Sequence, residues 1–293
     1  MSCNRPLPAY RDRGGHEVRI GYDFGTGDAF EVPCGKCVGC RMDRAKAWTV
    51  RIEHEAQMWE RNRFVTLTYR DDALPADLSL RYRDVQLFMK RLRKRAGPGN
   101  GPVRFFLCGE YGGRTGRPHY HAILFNFAPP DERFLANGTA RSEWIEDVWS
   151  HGHAVLGSVT SSSAAYVAGY TLKKAGRAPI VVDHATGEYF EREPEFVQMS
   201  RRPGIGARWF ERFGADVFPQ DQAVMSGGKV KRPPRYYFEK FKATDPAKAE
   251  DVRERRFQRA RLAFLQGESS PERRAVREEL ALARSEFFSP REL

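Results

Sequence analysis

His119-Tyr120-His121 sets two imidazoles two positions apart, and the period of a β-strand turns both to one face, as two ligands of a single metal ion require. Glu110 precedes His119 by nine residues, with Tyr111-Gly112-Gly113-Arg114-Thr115-Gly116-Arg117 between them. A hairpin through that Gly-rich stretch would return the carboxylate to the side of the histidines. Two imidazoles and one carboxylate make a three-ligand, open-sided site for a divalent ion, the arrangement needed where the ion must also grip a substrate oxygen. A His-x-His pair by itself is cheap. His151-Gly152-His153 repeats it in a Gly-containing turn, with no carboxylate placed to close a site.

Tyr166 and Tyr170 fall at i and i+4 on one helical face, with Lys173 and Lys174 a turn further along. Alone, such a pair packs a helix on a sheet. A phenol, with a pKa of about 10, becomes a useful nucleophile only where positive charge and a metal polarise its target. Given both, tyrosine oxygens could attack a phosphodiester, leaving a covalent phosphotyrosine and a free hydroxyl and so keeping the bond energy for rejoining. A third group, Cys34-x-x-Cys37-x-x-Cys40, offers three thiols in seven residues. Cys3 could complete a tetrahedral four-thiolate site, with His16 or His54 as alternatives for that fourth place. The chain opens without a secretory signal, so its five cysteines are expected to be reduced. The expectation for the cluster is a structural Zn2+ tying the N-terminus to the core. Cys108, on a predicted strand, reads as an ordinary buried residue.

These groups need elements to position them. The alternation of Phe64-Val65-Thr66-Leu67-Thr68-Tyr69 predicts a strand with both threonines on one face. Residues 81–96 predict a helix that buries Val85, Phe88, Met89 and Leu92 and turns Lys90, Arg91, Arg93, Lys94 and Arg95 outward. Strands over 103–110 and 118–127 form the hairpin, followed by a helix near 140–150 and a strand over 154–160. A last core helix is expected over 164–174, capped by Ser161, Ser162 or Ser163. Upstream, Trp48, Ile52, Ala56 and Trp59 share one face of a helix over 43–61, and residues 1–33 read as irregular. That order suits an α+β fold, an antiparallel sheet covered by helices. The domain reading is a Cys-rich segment and helix over 1–60, a catalytic core over 61–176, an irregular basic and aromatic region over 177–243, and a charged helical tail over 244–293.

Phe64-Val65-Thr66-Leu67-Thr68-Tyr69, then Cys108-Gly109-Glu110-Tyr111-Gly112 with Arg117-Pro118-His119-Tyr120-His121, then Tyr166-Val167-Ala168-Gly169-Tyr170 with Lys173-Lys174, resemble in order the three motifs of the HUH endonucleases. These include rolling-circle replication initiators. Tyrosines four apart are similar to the two-tyrosine subgroup of microvirus replication proteins. Pro33-Cys34-Gly35-Lys36-Cys37-Val38-Gly39-Cys40-Arg41 looks like the gokushovirus branch, and the resemblance covers about residues 30–175. It implies an antiparallel sheet of about five strands with the histidine pair on a central one. It also implies Glu110, His119 and His121 as ligands of Mg2+ or Mn2+, Tyr166 and Tyr170 as nucleophiles, and Lys173 or Lys174 beside the phosphate or tyrosinate. The implied protein nicks single-stranded DNA at a phage origin in the host cytoplasm and rejoins it through phosphotyrosine. A relaxase or transposase with the same chemistry and a non-catalytic, metal-stabilised DNA-binding protein are the rival readings. No Gly-x-x-x-x-Gly-Lys-[Ser/Thr] loop occurs, so a host helicase and a host polymerase are expected partners.

The charge agrees with a polyanionic partner. The net charge is +11, and +5 of it falls on residues 64–175, where the three motifs lie. No apolar run of about 18 residues occurs, which excludes a helical membrane span. The segments 200–210 and 229–237 mix Arg, Lys and aromatic residues in the manner that suits single-strand phosphates and base stacking.

Overall fold

The computed structural model describes residues 3–11, 18–22, 28–170, 180–182, 187, 189–267 and 270–287. Its first element is a small antiparallel sheet of β1 (Leu7–Arg11), β2 (Val18–Ile20) and β3 (Asp28–Val32), in the order β2-β1-β3. This corrects the irregular reading of residues 1–33. The cover that makes Phe30 an inward-facing residue is Phe257, met edge-on with ring centroids 5.1 Å apart, and so distant a partner leaves no local pattern. Helix α1 (Val38–Ala56) starts inside the cysteine cluster, because the Cys37 sulfur caps it by accepting the Cys40 N–H. The helix stops before the expected Arg61. The Asn62 amide donates to the Ala56 and Trp59 carbonyls and satisfies the groups that the helix end leaves open.

The elements that follow are β4 (Asn62–Tyr69), α2 (Tyr82–Ala96), β5 (Arg104–Tyr111), β6 (Pro118–Phe125), β7 (Arg133–Phe134), β8 (Ala140–Arg141), α3 (Glu143–Trp149), β9 (Gly152–Gly157) and α4 (Ser161–Gly169). Then come the paired β10 (Ile180–Val182) and β11 (Tyr189–Glu191), β12 (Phe196–Met199), α5 (Ala207–Val217), the paired β13 (Ala223–Val224) and β14 (Val230–Lys231), α6 (Arg235–Thr244), α7 (Pro246–Leu265) and α8 (Pro271–Phe287). The main sheet has the order β12-β5-β6-β4-β9-β8-β7 and every pair in it is antiparallel. Its body is the five strands β12 to β9, with β6 in the middle and two-residue β8 and β7 at one edge. The chain is thus α+β, with the histidine pair on the central strand.

Alternation divides the sheet into two faces. Val65, Leu67, Leu107, Tyr120, Ala122 and Leu124 bury themselves against Phe88 and Leu92 of α2 and Trp149 of α3. The opposite face carries Phe106, Cys108, Ile123 and Phe125, covered by Ile52 of α1 and by Ala164, Val167 and Ala168 of α4. His119 and His121 have the parity of Ile123 and Phe125. The histidines therefore lie on the face that α1 and α4 cover.

A separate apolar cluster forms around Val50 of α1, where Trp209, Phe210, Val217, Phe218, Tyr237, Phe238, Ala249 and Val252 pack. The region 177–243, expected to be irregular, thus supplies a sheet strand and two helices. Its burial partners lie on α1, far away in sequence, and its own periodicity is broken by Pro and Gly.

Candidate active site

The loop between β5 and β6 is tight. Gly112 N–H donates to Arg117 O at 2.9 Å, and Gly116 takes a φ of 62° that suits glycine. The turn fixes a register in which Glu110 faces His119 and Cys108 faces His121. On the other side of β6, Thr66 lies opposite His121.

Three ligand atoms converge from this register. Glu110 Oε1 is 2.7 Å from His119 Nε2 and 2.8 Å from His121 Nε2. Each ring is also held by its second nitrogen: His119 Nδ1 meets Arg117 O at 3.2 Å, and His121 Nδ1 meets Thr66 Oγ1 at 2.9 Å. A carbonyl only accepts, so His119 carries its proton on Nδ1 and turns the Nε2 lone pair toward the carboxylate. Only a shared proton or a shared cation makes that contact favourable. Outer partners that set the ring nitrogens in this way are what a metal centre needs, so the residues fit a divalent ion. Burial pulls the Glu110 carboxyl upward, but hydrogen bonds from His119, His121 and Tyr170 outweigh it and hold the group well below the usual carboxylate range.

The tyrosines arrive on α4. Thr160 caps this helix in place of the expected serines: its hydroxyl accepts from Ser163 N–H at 3.1 Å, and Ser163 Oγ accepts from Thr160 N–H at 2.8 Å. The last helical residue is Gly169. Tyr170 is the cap but keeps helical dihedrals, φ −65° and ψ −18°, so the two rings still share a face. Their centroids lie 5.2 Å apart. Tyr166 OH is 3.2 Å from His121 Nε2 and donates to Glu110 Oε1 at 3.4 Å. Tyr170 lies parallel to the His121 ring with centroids 6.0 Å apart, and Phe64 stacks on that ring at 5.5 Å. Tyr166 is half-buried and Tyr170 buried. Both phenols are held far above their ordinary range, by burial first and also by the negative charge of Glu110.

Six residues thus meet in one place: Glu110, His119, His121, Tyr166, Tyr170 and Thr66. The last was noted in the sequence only as one of two threonines on a common face. Its signal was that β4 pairs with the histidine strand, which a single sequence does not reveal. Lys173 and Lys174 lie outside the described residues.

Cys3, Cys34, Cys37 and Cys40 form a second convergent group, with one ligand atom from each lying within 4.8 Å of the others. Cys37 is pulled up by burial, but N–H donors from Asn4 and Cys40 prevail and bring its thiol down to about 6. The alternative fourth ligand His54 belongs elsewhere: it is fully buried, stacked on Trp209 at 3.5 Å and bonded to Tyr237 OH and Val224 O at 3.1 Å each. His16 lies outside the described residues. His151 and His153 share no carboxylate, the first lying 3.9 Å from Asp84 and the second 3.9 Å from Glu146. Cys108 is fully buried.

The expected stacking aromatics are largely spent on the core. Trp209, Phe210 and Tyr237 are buried, and Tyr236 lies under the Arg51 guanidinium at 4.0 Å. Arg201, Arg202, Lys229, Lys231 and Arg232 remain exposed in those segments. On α2, Arg91 and Arg93 bond the carbonyls of Trp149 and Val103, so part of that charge run serves packing.

The replication-associated protein family of the ORF2 type matches residues 62–175. Replication-associated protein VP4 of Bdellovibrio phage phiMH2K is 35% identical over 262 residues, 85% of this chain and 79% of that protein. Replication-associated protein ORF2 of Spiroplasma virus 4 is 32% identical over 263 residues, 81% of this chain and 79% of that protein. Replication-associated protein ORF4 of Chlamydia phage 1 is 33% identical over 156 residues, 50% of this chain and 39% of that protein. No solved structure matches the chain.

Proposed function

The chain belongs to the family of phage replication-associated proteins that initiate rolling-circle replication in microviruses, and from that premise we propose that it nicks single-stranded origin DNA and rejoins it through phosphotyrosine. The observation that carries the reading is Tyr166 OH at 3.2 Å from a nitrogen of the Glu110–His119–His121 group. Glu110 Oε1, His119 Nε2 and His121 Nε2 would hold Mg2+ or Mn2+. When bound, such an ion supplies Lewis-acid chemistry, drawing charge from the oxygens of a phosphodiester and opposing the Glu110 charge that keeps the phenols neutral.

Thr66 and the Arg117 carbonyl fix the two rings before substrate arrives, and Phe64 and the Tyr170 ring shut water out from either side of His121. The Tyr166 oxygen attacks phosphorus and the bond to the 3′ oxygen breaks. The 5′ phosphate stays on Tyr166, and the proton lost by the phenol is balanced by the one the departing 3′ oxygen takes up. That 3′ hydroxyl primes synthesis. After one circuit Tyr170 cuts the regenerated junction, and the hydroxyl released in that second cut attacks the Tyr166 phosphate to close the circle. Tyr166, the more open of the pair and bonded to both His121 and Glu110, makes the first cut. Unwinding and synthesis fall to a host helicase and polymerase.

Cleavage of a single-stranded origin oligonucleotide tests this reading. It should require a divalent ion, stop in EDTA and be lost in His121→Ala; cleavage that proceeds unchanged in EDTA contradicts it.

A further inference from the structure

We propose that Cys3, Cys34, Cys37 and Cys40 bind one zinc ion as a tetrathiolate site, which fastens the N-terminal sheet to the helix that backs the tyrosines. The four sulfurs lie within 4.8 Å of one another. Cys3 Sγ and Cys37 Sγ are 3.7 Å apart, close to the separation of about 3.8 Å between the corners of a tetrahedron with zinc–sulfur bonds of about 2.3 Å. A disulfide, at about 2.05 Å, would need these atoms to move together, and all four cysteines are free.

The surroundings are those of thiolates. Asn4 N–H donates to Cys37 Sγ at 3.3 Å, Cys34 N–H to Cys3 Sγ at 3.3 Å, and Lys36 and Cys37 N–H to Cys34 Sγ at 3.4 Å each. Gly35, at a φ of 75°, turns the chain so that Cys34 and Cys37 face a common point. Cys37 also caps α1, whose N-terminal dipole favours negative charge. Lys36, Arg41 and Arg44 add positive charge within the same segment. Four sulfur donors select zinc and have little affinity for Mg2+, whereas the carboxylate and imidazoles of the catalytic group remain open to harder ions. The two centres thus differ in chemistry as well as in place.

The site explains how the small sheet is retained. Its buried apolar set is Ala9 and Phe30 against Phe257, too little to hold three strands. Leu7 pairs with Val32 at the end of the sheet where Cys3 and Cys34 emerge, and a metal there joins both strand ends to the start of α1. Further along that helix, Trp48, Ile52 and Ala56 pack in the cluster containing Ala164, Val167, Ala168 and Tyr170 of the tyrosine segment.

Metal analysis of the full chain, purified without added zinc and dialysed against EDTA under native conditions, tests the site independently of any nuclease activity. One zinc per chain is expected in the wild type and in Cys108→Ser, with loss of zinc in the Cys34→Ser/Cys37→Ser double variant. Wild-type protein produced in cobalt medium should show the strong visible bands and sulfur-to-metal charge transfer of a tetrahedral four-sulfur centre, a readout that does not depend on how the variant folds. A zinc-free wild type with five titratable thiols, a mass lowered by two hydrogens through disulfide formation, or a cobalt spectrum of octahedral oxygen and nitrogen ligation would overturn the proposal.

Discussion

His121 is held on every side that matters. Thr66 fixes one ring nitrogen, the other faces Glu110 and Tyr166, and Phe64 and Tyr170 flank the ring plane. Replacing Thr66 by valine keeps the volume and removes the hydroxyl that orients the ring. Loss of such an outer partner costs about 10–100-fold in metal affinity or activity. For Thr66→Val we expect a loss in that range in metal-dependent cleavage, with the melting temperature little changed. Unchanged metal dependence would mean that Thr66 does not orient the ligand. At this scale the sequence was informative about residues that must carry a functional group, because Glu110, His119, His121, Tyr166 and Tyr170 are each rare choices at their spacing. It was silent about Thr66 and Phe64, whose roles depend on strand pairing.

Among the elements, the hairpin was the most legible, since a Gly-rich loop between two apolar strands leaves few alternatives. Boundaries were less so. Helix α1 begins at Val38 because a cysteine caps it, and α4 is capped by Thr160, one residue before the serines that seemed the natural choice from composition. The pair His151-Gly152-His153 is best explained by its glycine. A Cβ at Gly152 would stand 2.3 Å from Thr68 O and 2.4 Å from Arg70 N, on the backbone of the neighbouring strand. The position requires glycine for close approach of β9 to β4. Gly152→Ala should therefore destabilise the fold by about 1–3 kcal/mol or more, seen as a lower thermal midpoint. His153→Ala, at a largely exposed side chain, should leave the midpoint nearly unchanged. Equal effects of the two changes would refute this account of the pair.

Taken whole, the molecule is more continuous than its sequence suggests. Glu55 of α1 accepts from Arg104 Nε of β5 at 2.6 Å and from Gly206 N–H at 2.7 Å, while Arg104 also donates to Pro203 O at 2.7 Å. This buried network joins the catalytic sheet, α1 and the start of the C-terminal third. Sequence could not show it, because its members are separated by up to 151 positions. Next to it, burial lowers the pKa of His54 from 6.5 to about 4. Folding thus favours the neutral ring, and the unfolded chain takes up the proton first as the pH falls. Stability should be level in this respect above about pH 7 and decline between about pH 6.5 and 4, by up to about 3 kcal/mol. Thermal midpoints at pH 7 and pH 5 check this, and His54→Gln, which can still bond Tyr237 and Val224, should narrow the difference. A difference that stays the same in the variant would assign the acid sensitivity to other groups.

The central claim is that a tyrosine on α4 becomes covalently joined to DNA. A 3′-labelled single-stranded origin oligonucleotide, incubated with the full chain and Mg2+ or Mn2+ and run on a denaturing gel, measures it directly. The wild type should give a labelled protein–DNA band, strongly reduced in Tyr166→Phe, retained in the first cut by Tyr170→Phe, and absent when both are changed. A covalent band that survives the double change, or cleavage by the wild type with no covalent band, would contradict the account.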